Sequence, residues 1–120
     1  MTRDATSMVW TSIGGIEIHG FWHLPRFLWL AQSAKKSALA TEGCREVHLF
    51  RRDGRFFAIS VWDSPVAMKR YAASGMHARL MADHAPMFRS ALNTVMRSEM
   101  PPSRDEAVAH WTEVHDVRRP

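Results

Sequence analysis

Seven histidines, one cysteine and one tyrosine are the side chains of this 120-residue sequence best suited to acid–base, nucleophilic or ligand chemistry. Two of the histidines fall in one stretch, SVWDSPVAMKRYAASGMHARLMADHAP, from Ser60 to Pro86, which also holds Tyr71 and Arg79. At helical spacing His77, Leu80, Met81 and His84 share one face. His77 and His84 then lie about 10 Å apart along an α-helix, too far to share one metal ion without a helix break. No two-histidine-plus-carboxylate pattern and no zinc spacing accompanies them, so no metal site is expected. The simpler arrangement turns one imidazole toward a pocket and the other toward solvent or a backbone acceptor. His77 is the pocket candidate, with a structural hydrogen bond near Ser74-Gly75 as the alternative. Arg79, close by, either pairs with a ligand carboxylate or is a solvated helix residue.

The remaining candidates are weaker. His48 sits among aromatic residues on an apparent strand, where it faces a cavity or makes a satisfied core contact. Trp62 and Tyr71 form either core packing or an aromatic wall suited to a flat ligand. His19 and His23 have the i, i+4 spacing of a helical metal site, but Gly20 lies between them and the segment reads as a loop. Cys44 is the single cysteine. That excludes an intramolecular disulfide and a thiolate zinc site within one chain. Without a neighbouring His or Asn it reads as a small hydrophobe rather than a nucleophile.

A chain of this length is one domain, residues 1–120, with enough residues for a core. Its hydrophobic share of 46% and charged share of 23% are those of a globular protein. No apolar run approaches the ~20 residues that cross a membrane. The start, MTRDATSMVW, lacks the apolar segment of a secretory signal, and a cytoplasmic location is the expectation. The net charge of +4 raises the question of nucleic acid. The basic residues, however, are scattered: Arg45, Arg51, Arg52 and Arg55 near one hairpin, Lys35 and Lys36 on a helix, Arg118 and Arg119 at the tail. No binding motif interleaves them with exposed aromatics, so no nucleic-acid partner is expected.

The elements that must position these residues follow from patterning. SMVWTSIGGIEI reads as a first strand, with Gly14-Gly15 as a bulge or break. HLPRFLWLAQSAKKSALATEG reads as a helix, with Pro25 in the first turn and Gly43 as its C-terminal stop. Leu24, Phe27, Leu28, Ala31, Ala34 and Ala38 form its apolar stripe. Trp29 and Leu30 fall outside the stripe, which points to a partner subunit, a pocket or a broad core face. In CREVHLFRRDGRFFAISVW, Asp53-Gly54 predicts a two-residue hairpin turn that pairs Arg52 with Arg55, Phe50 with Phe57 and His48 with Ile59. One face of the hairpin then carries His48, Phe50, Phe57, Ile59 and Val61. The other carries Val47, Leu49, Phe56, Ala58, Ser60 and Trp62. Both are largely apolar, so helices must cover one and a second layer the other.

Ser64 and Pro65 predict the start of a second helix, interrupted at Ser74-Gly75. A further turn and helix run from about Met76 to Ala85, closed by Pro86. MFRSALNTVMRSEM predicts a last strand. Ser103 and Glu106 stand at capping-box spacing ahead of a short terminal helix over about 103–114. The order β-α-β-β-α-β is that of a ferredoxin-like α+β protomer, with helices on one face of four antiparallel strands. An apolar open face in so small a chain predicts a homodimer with a barrel-like core.

EGCREVHLF…FFAISVWDSPVAMKRYAASGMHARLM resembles the antibiotic-biosynthesis-monooxygenase-like group of dimeric α/β-barrel proteins, and within it a branch related to spheroidene monooxygenase. The resemblance rests on Trp62, Ser64, Ala67, Tyr71 and His77, and on Pro102, Ser103, Glu106 and Ala107. It implies a dimeric α/β barrel and a monooxygenase-like activity on a hydrophobic small molecule in an apolar pocket, with no cofactor. His77 and Tyr71 would be the catalytic residues; Trp62, His48, His84 and Arg79 would contact the ligand. The group also contains haem-binding and haem-degrading members, which makes haem the alternative cofactor, with His77 as its axial ligand and Tyr71 as the neighbouring aromatic. Haem degradation in the group uses an Asn on the first strand, and SMVWTSIGG has none. A non-catalytic barrel with an interaction role is the third alternative.

Overall fold

The computed structural model describes residues 8–73 and 82–115. In chain order it contains β1 (Val9–Ile18), a 3-10 turn (Phe21–His23), α1 (Leu24–Leu39), β2 (Cys44–Arg52), β3 (Arg55–Trp62), α2 (Pro65–Ala72), a second 3-10 turn (Ala85–Met87), β4 (Phe88–Ser98) and α3 (Arg104–His115). The strands form one antiparallel sheet in the order β2-β3-β1-β4, the expected ferredoxin-like α+β arrangement. Segment 74–81, which includes Ser74-Gly75, His77 and Arg79, lies outside the described residues.

The hairpin follows its sequence. Asp53 and Gly54 adopt φ of 54° and 79°, the two positive values that a tight turn of this hand requires. The pairs Arg52–Arg55, Phe50–Phe57 and His48–Ile59 all form. Ser64 caps α2 by accepting the Ala67 backbone N–H at 3.1 Å, and Pro65 occupies the first turn. At α3 the capping box closes in both directions: the Ser103 N–H donates to Glu106 Oε1 at 3.0 Å and the Glu106 N–H to Ser103 Oγ at 3.1 Å.

Four expectations are corrected. β1 runs straight through Gly14-Gly15, because both are paired on each side, to β3 and β4; the irregularity falls at Glu17/Ile18 instead. α1 ends at Leu39, with Ala40 still in right-handed conformation, and Gly43 (φ 94°) serves the turn into β2 rather than the helix stop. On α1, Leu30 belongs to the core with Phe27 and Ala38, whereas Leu28 is half exposed. The helix is rolled slightly, so that its buried line follows residues 27, 30 and 38.

The fourth concerns the face of the sheet that looked open. Val9, Thr11, Ile13, Phe57, Ile59 and Val61 share that outer face and are buried within the single chain. α3 provides much of the cover: Ala107, Val108 and Trp111 pack on Ile13, Phe57 and Ile59. A large aromatic such as Trp111 contributes at most about 4–6 kcal/mol by burying its surface. Polar clips add direction. Trp111 Nε1 donates to the Leu92 carbonyl at 2.8 Å, and Arg52 pairs with Asp105 at 2.6 Å. The tail helix is therefore the second layer, and the helices are not confined to one side.

Candidate active site

The opposite, inner face of the sheet lies beneath α1 and α2. Its two ends are filled by large side chains. At one end Phe27 and Leu30 pack with Met87, Ile16, Phe56 and Phe88. At the other, Ala38, Trp62 and Ala67 pack with Val47, Met68 and Tyr71. Between them the floor is small: Ser12 pairs with Ser60, and Gly14 with Ala58, across β1 and β3. Ala31 and Ala34 are equally small on the helix above. Short side chains from both layers leave a gap, a cavity of about 490 Å³. That volume suits a small organic ligand.

Trp62 is fully buried at the cavity wall, its Nε1 donating to Ser60 Oγ at 2.8 Å. Tyr71 also lines the cavity and lies 5.4 Å from Trp62, ring centre to ring centre, so the two rings take part in the packed cluster at that end and also border the cavity. Its hydroxyl donates to the Ala34 carbonyl at 3.0 Å and ties α2 to α1. Burial pushes the phenol above its ordinary range. Tyr71 is accordingly a neutral donor at physiological pH, not a base. Cys44 packs beside this wall; burial raises its thiol too, and its Sγ–H points to the Glu46 carbonyl. That is the setting of a resting thiol rather than a nucleophile.

The structure does not bring all the candidates together. His48 projects from the outer face, 2.8 Å from the Glu46 carboxylate, away from the cavity. His84 is partly buried at the start of the second 3-10 turn and does not line the cavity. His77 and Arg79 lie outside the described residues. His19 lies in the bend before the first 3-10 turn and His23 is the last residue of that turn, at the N-cap of α1. Among the described residues no group of three or more His, Cys, Asp or Glu could hold a metal ion.

One cavity residue escaped the sequence reading. Asn93 on β4 meets Ser12 on β1: Ser12 Oγ donates to Oδ1 at 3.3 Å, and Nδ2 donates back to Ser12 Oγ at 3.2 Å. This pair is a polar feature of a largely apolar lining, and a carboxamide N–H there can hold a ligand oxygen. The signal was in the strand pattern, since Asn93 interrupts the inner-face series Ala91, Asn93, Val95.

No protein-family model matches the chain, and no curated protein matches it in sequence. Solved structures do match in fold. Rv0793 from Mycobacterium tuberculosis is similar at a TM-score of 0.67 and 16% identity, over 80% of this chain and 97% of that one. SnoaB from Streptomyces nogalater, described as a cofactor-independent oxygenase, has a TM-score of 0.67 and 16% identity over 78% of this chain and 95% of its own. A protein described as an antibiotic biosynthesis monooxygenase has a TM-score of 0.63 and 20% identity, over 78% and 99%. The fold is thus that of the antibiotic-biosynthesis-monooxygenase-like proteins.

Proposed function

We propose that the protein is a monooxygenase-like enzyme whose substrate is a flat, hydrophobic small molecule held between α1 and the inner face of the sheet. The observation that carries this reading is the cavity itself: apolar, of ligand size, floored by Ser12, Gly14, Ala58 and Ser60 and walled by Trp62 and Tyr71. Its kinship of fold with SnoaB, a cofactor-independent oxygenase, supports the same reading. Chemistry without a cofactor needs an electron-rich substrate that reduces O₂ itself. A ring-flanked CH₂ becomes C=O, one oxygen atom enters the product, and the two hydrogens leave with the other as water. The protein's part is to exclude water, orient the ring and stabilise the oxygen anion that forms when the substrate loses its proton. Asn93 Nδ2, steadied by Ser12, is placed to donate to that oxygen.

The described lining residues include neither a carboxylate nor a histidine. We assign the proton acceptor to His77, which follows the cavity residue Ala72 by five positions in the chain, with Arg79 as a ligand contact from the same segment. The haem alternative finds no histidine ligand among the described lining residues, and the Tyr71 hydroxyl is already given to Ala34. Haem binding would rest on His77 or on Met68, and no described feature favours it over an organic substrate.

We further propose a cytoplasmic homodimer. The sheet face no longer motivates it, since that face is buried within the single chain, with α3 over Ile13, Phe57 and Ile59. Exposed aromatics do: Phe21, Trp22 and Trp29 are 79%, 77% and 66% exposed near the start of α1, beside half-exposed Leu28. Apolar side chains in that concentration mark a contact surface. Among the described residues no helix is long and apolar enough to cross a membrane.

Oxygen uptake with a polycyclic phenol bearing a ring-flanked CH₂, and no added cofactor, tests the activity. Consumption of one O₂ per quinone formed is expected, with turnover about 10²-fold lower in Asn93→Ala. An uptake rate equal to that of the protein-free solution would overturn the reading.

A further inference from the structure

We infer that the ligand of this cavity carries an anionic group, a carboxylate or its equivalent, at one end of an apolar body; the inference rests on the cavity being the ligand site. Two of the described lining residues are charged, Lys35 on α1 and Arg51 on β2, and both are cations. Neither forms an ion pair with a described carboxylate, although Arg45, Arg52 and Arg55 each have one. The hairpin places Arg51 on the inner face with Val47 and Leu49, directly across from Phe56, and its guanidinium lies 5.7 Å from the centre of that ring. This holds the charge over an apolar wall without neutralising it. Lys35 is half-buried and stands one residue beyond Ala34, whose carbonyl receives the Tyr71 hydroxyl.

A purely hydrocarbon ligand gives these two cations nothing to do and leaves their charge beside apolar surface. An anionic head would meet both while its body lies on Gly14 and Ala58. The guanidinium plane suits a carboxylate edge, and the lysine adds a point charge. Both groups are partly in water, so the attraction is modest, about fivefold in affinity for each and more than tenfold for the pair. It also falls as salt is added.

The probes are anthracene carboxylate and its uncharged counterpart, hydroxymethylanthracene, titrated into the native protein at neutral pH and followed by anthracene fluorescence. The carboxylate is expected to bind more tightly, by more than about tenfold. The double variant Lys35→Gln/Arg51→Gln should erase that advantage and leave affinity for the alcohol unchanged. Equal affinity of the native protein for the two probes overturns the inference, as does an advantage that survives in the double variant. In both of those results the alcohol still binds, so the cavity reading stands without the anionic head. Failure of both probes to bind defeats the cavity reading and the inference together.

Discussion

Trp111 lies with its indole against the bare backbone of Gly15, so close that a methyl group on that glycine would stand 2.6 Å from Cε2 and overlap the ring. The contact joins the tail helix to the middle of β1. It accounts for a glycine in a strand interior, where glycine ordinarily weakens the sheet.

Gly15→Ala is therefore expected to destabilise the protein by about 1–3 kcal/mol, through overpacking, despite the better strand propensity of alanine. Urea unfolding measures it. A midpoint unchanged or raised would show that α3 does not sit on β1 in solution.

Gly54→Val separates backbone strain from packing. Nothing lies within 4 Å of a Cβ at that position, so the whole cost comes from holding a β-branched residue at φ 79°. A loss of roughly 1 kcal/mol or more is expected in thermal or urea unfolding. An unaltered melting temperature would mean the turn adopts another conformation.

Tyr71 is the single tyrosine, so phenolate absorbance reads it without interference from another phenol. Burial raises its pKa above the ordinary value near 10 in the folded protein. Above pH 10 the unfolded chain releases this proton while the folded chain keeps it. The stability linked to Tyr71 is complete below that pH and is lost as pH rises through the folded pKa. The absorbance midpoint of the folded protein should lie above 10. A midpoint at or below 10 would place the hydroxyl in water, away from Ala34.

The hairpin, the Ser64 cap and the Ser103–Glu106 box were legible because each is a local code, written within a few residues. The aromatic pair Trp62–Tyr71 was legible as a candidate for the same reason. The cavity was not. Its floor and roof are small residues from three separate elements, and smallness in a sequence does not say whether a neighbour fills the space. Asn93 and Ser12, 81 positions apart, meet only through the β1–β4 register. The role of α3 was hidden likewise, since Trp111 needs Gly15 opposite it and nothing local links the two. The slip at Leu28 and Leu30 is one of phase: both fit an apolar helix face, and the roll of α1 over the sheet decides between them.

The homodimer should sediment at twice the 13.7 kDa of one chain at micromolar concentration, and Trp29→Glu should shift it toward the single-chain mass. A native species of 13.7 kDa alone would remove the dimer from the account.

The central claim, that the space between α1 and the sheet holds a flat hydrophobic ligand, is tested most directly by filling that space. Ala58 faces it from the floor, opposite Gly14, and Ala58→Trp would place an indole in the gap. Binding of hydroxymethylanthracene, read by its fluorescence, should be one-to-one in the native protein. In the variant it should fall by about a hundredfold while cooperative unfolding is retained, because the new side chain enters empty volume rather than packed core. No binding by the native protein, or equal affinity in a folded Ala58→Trp variant, would contradict the account.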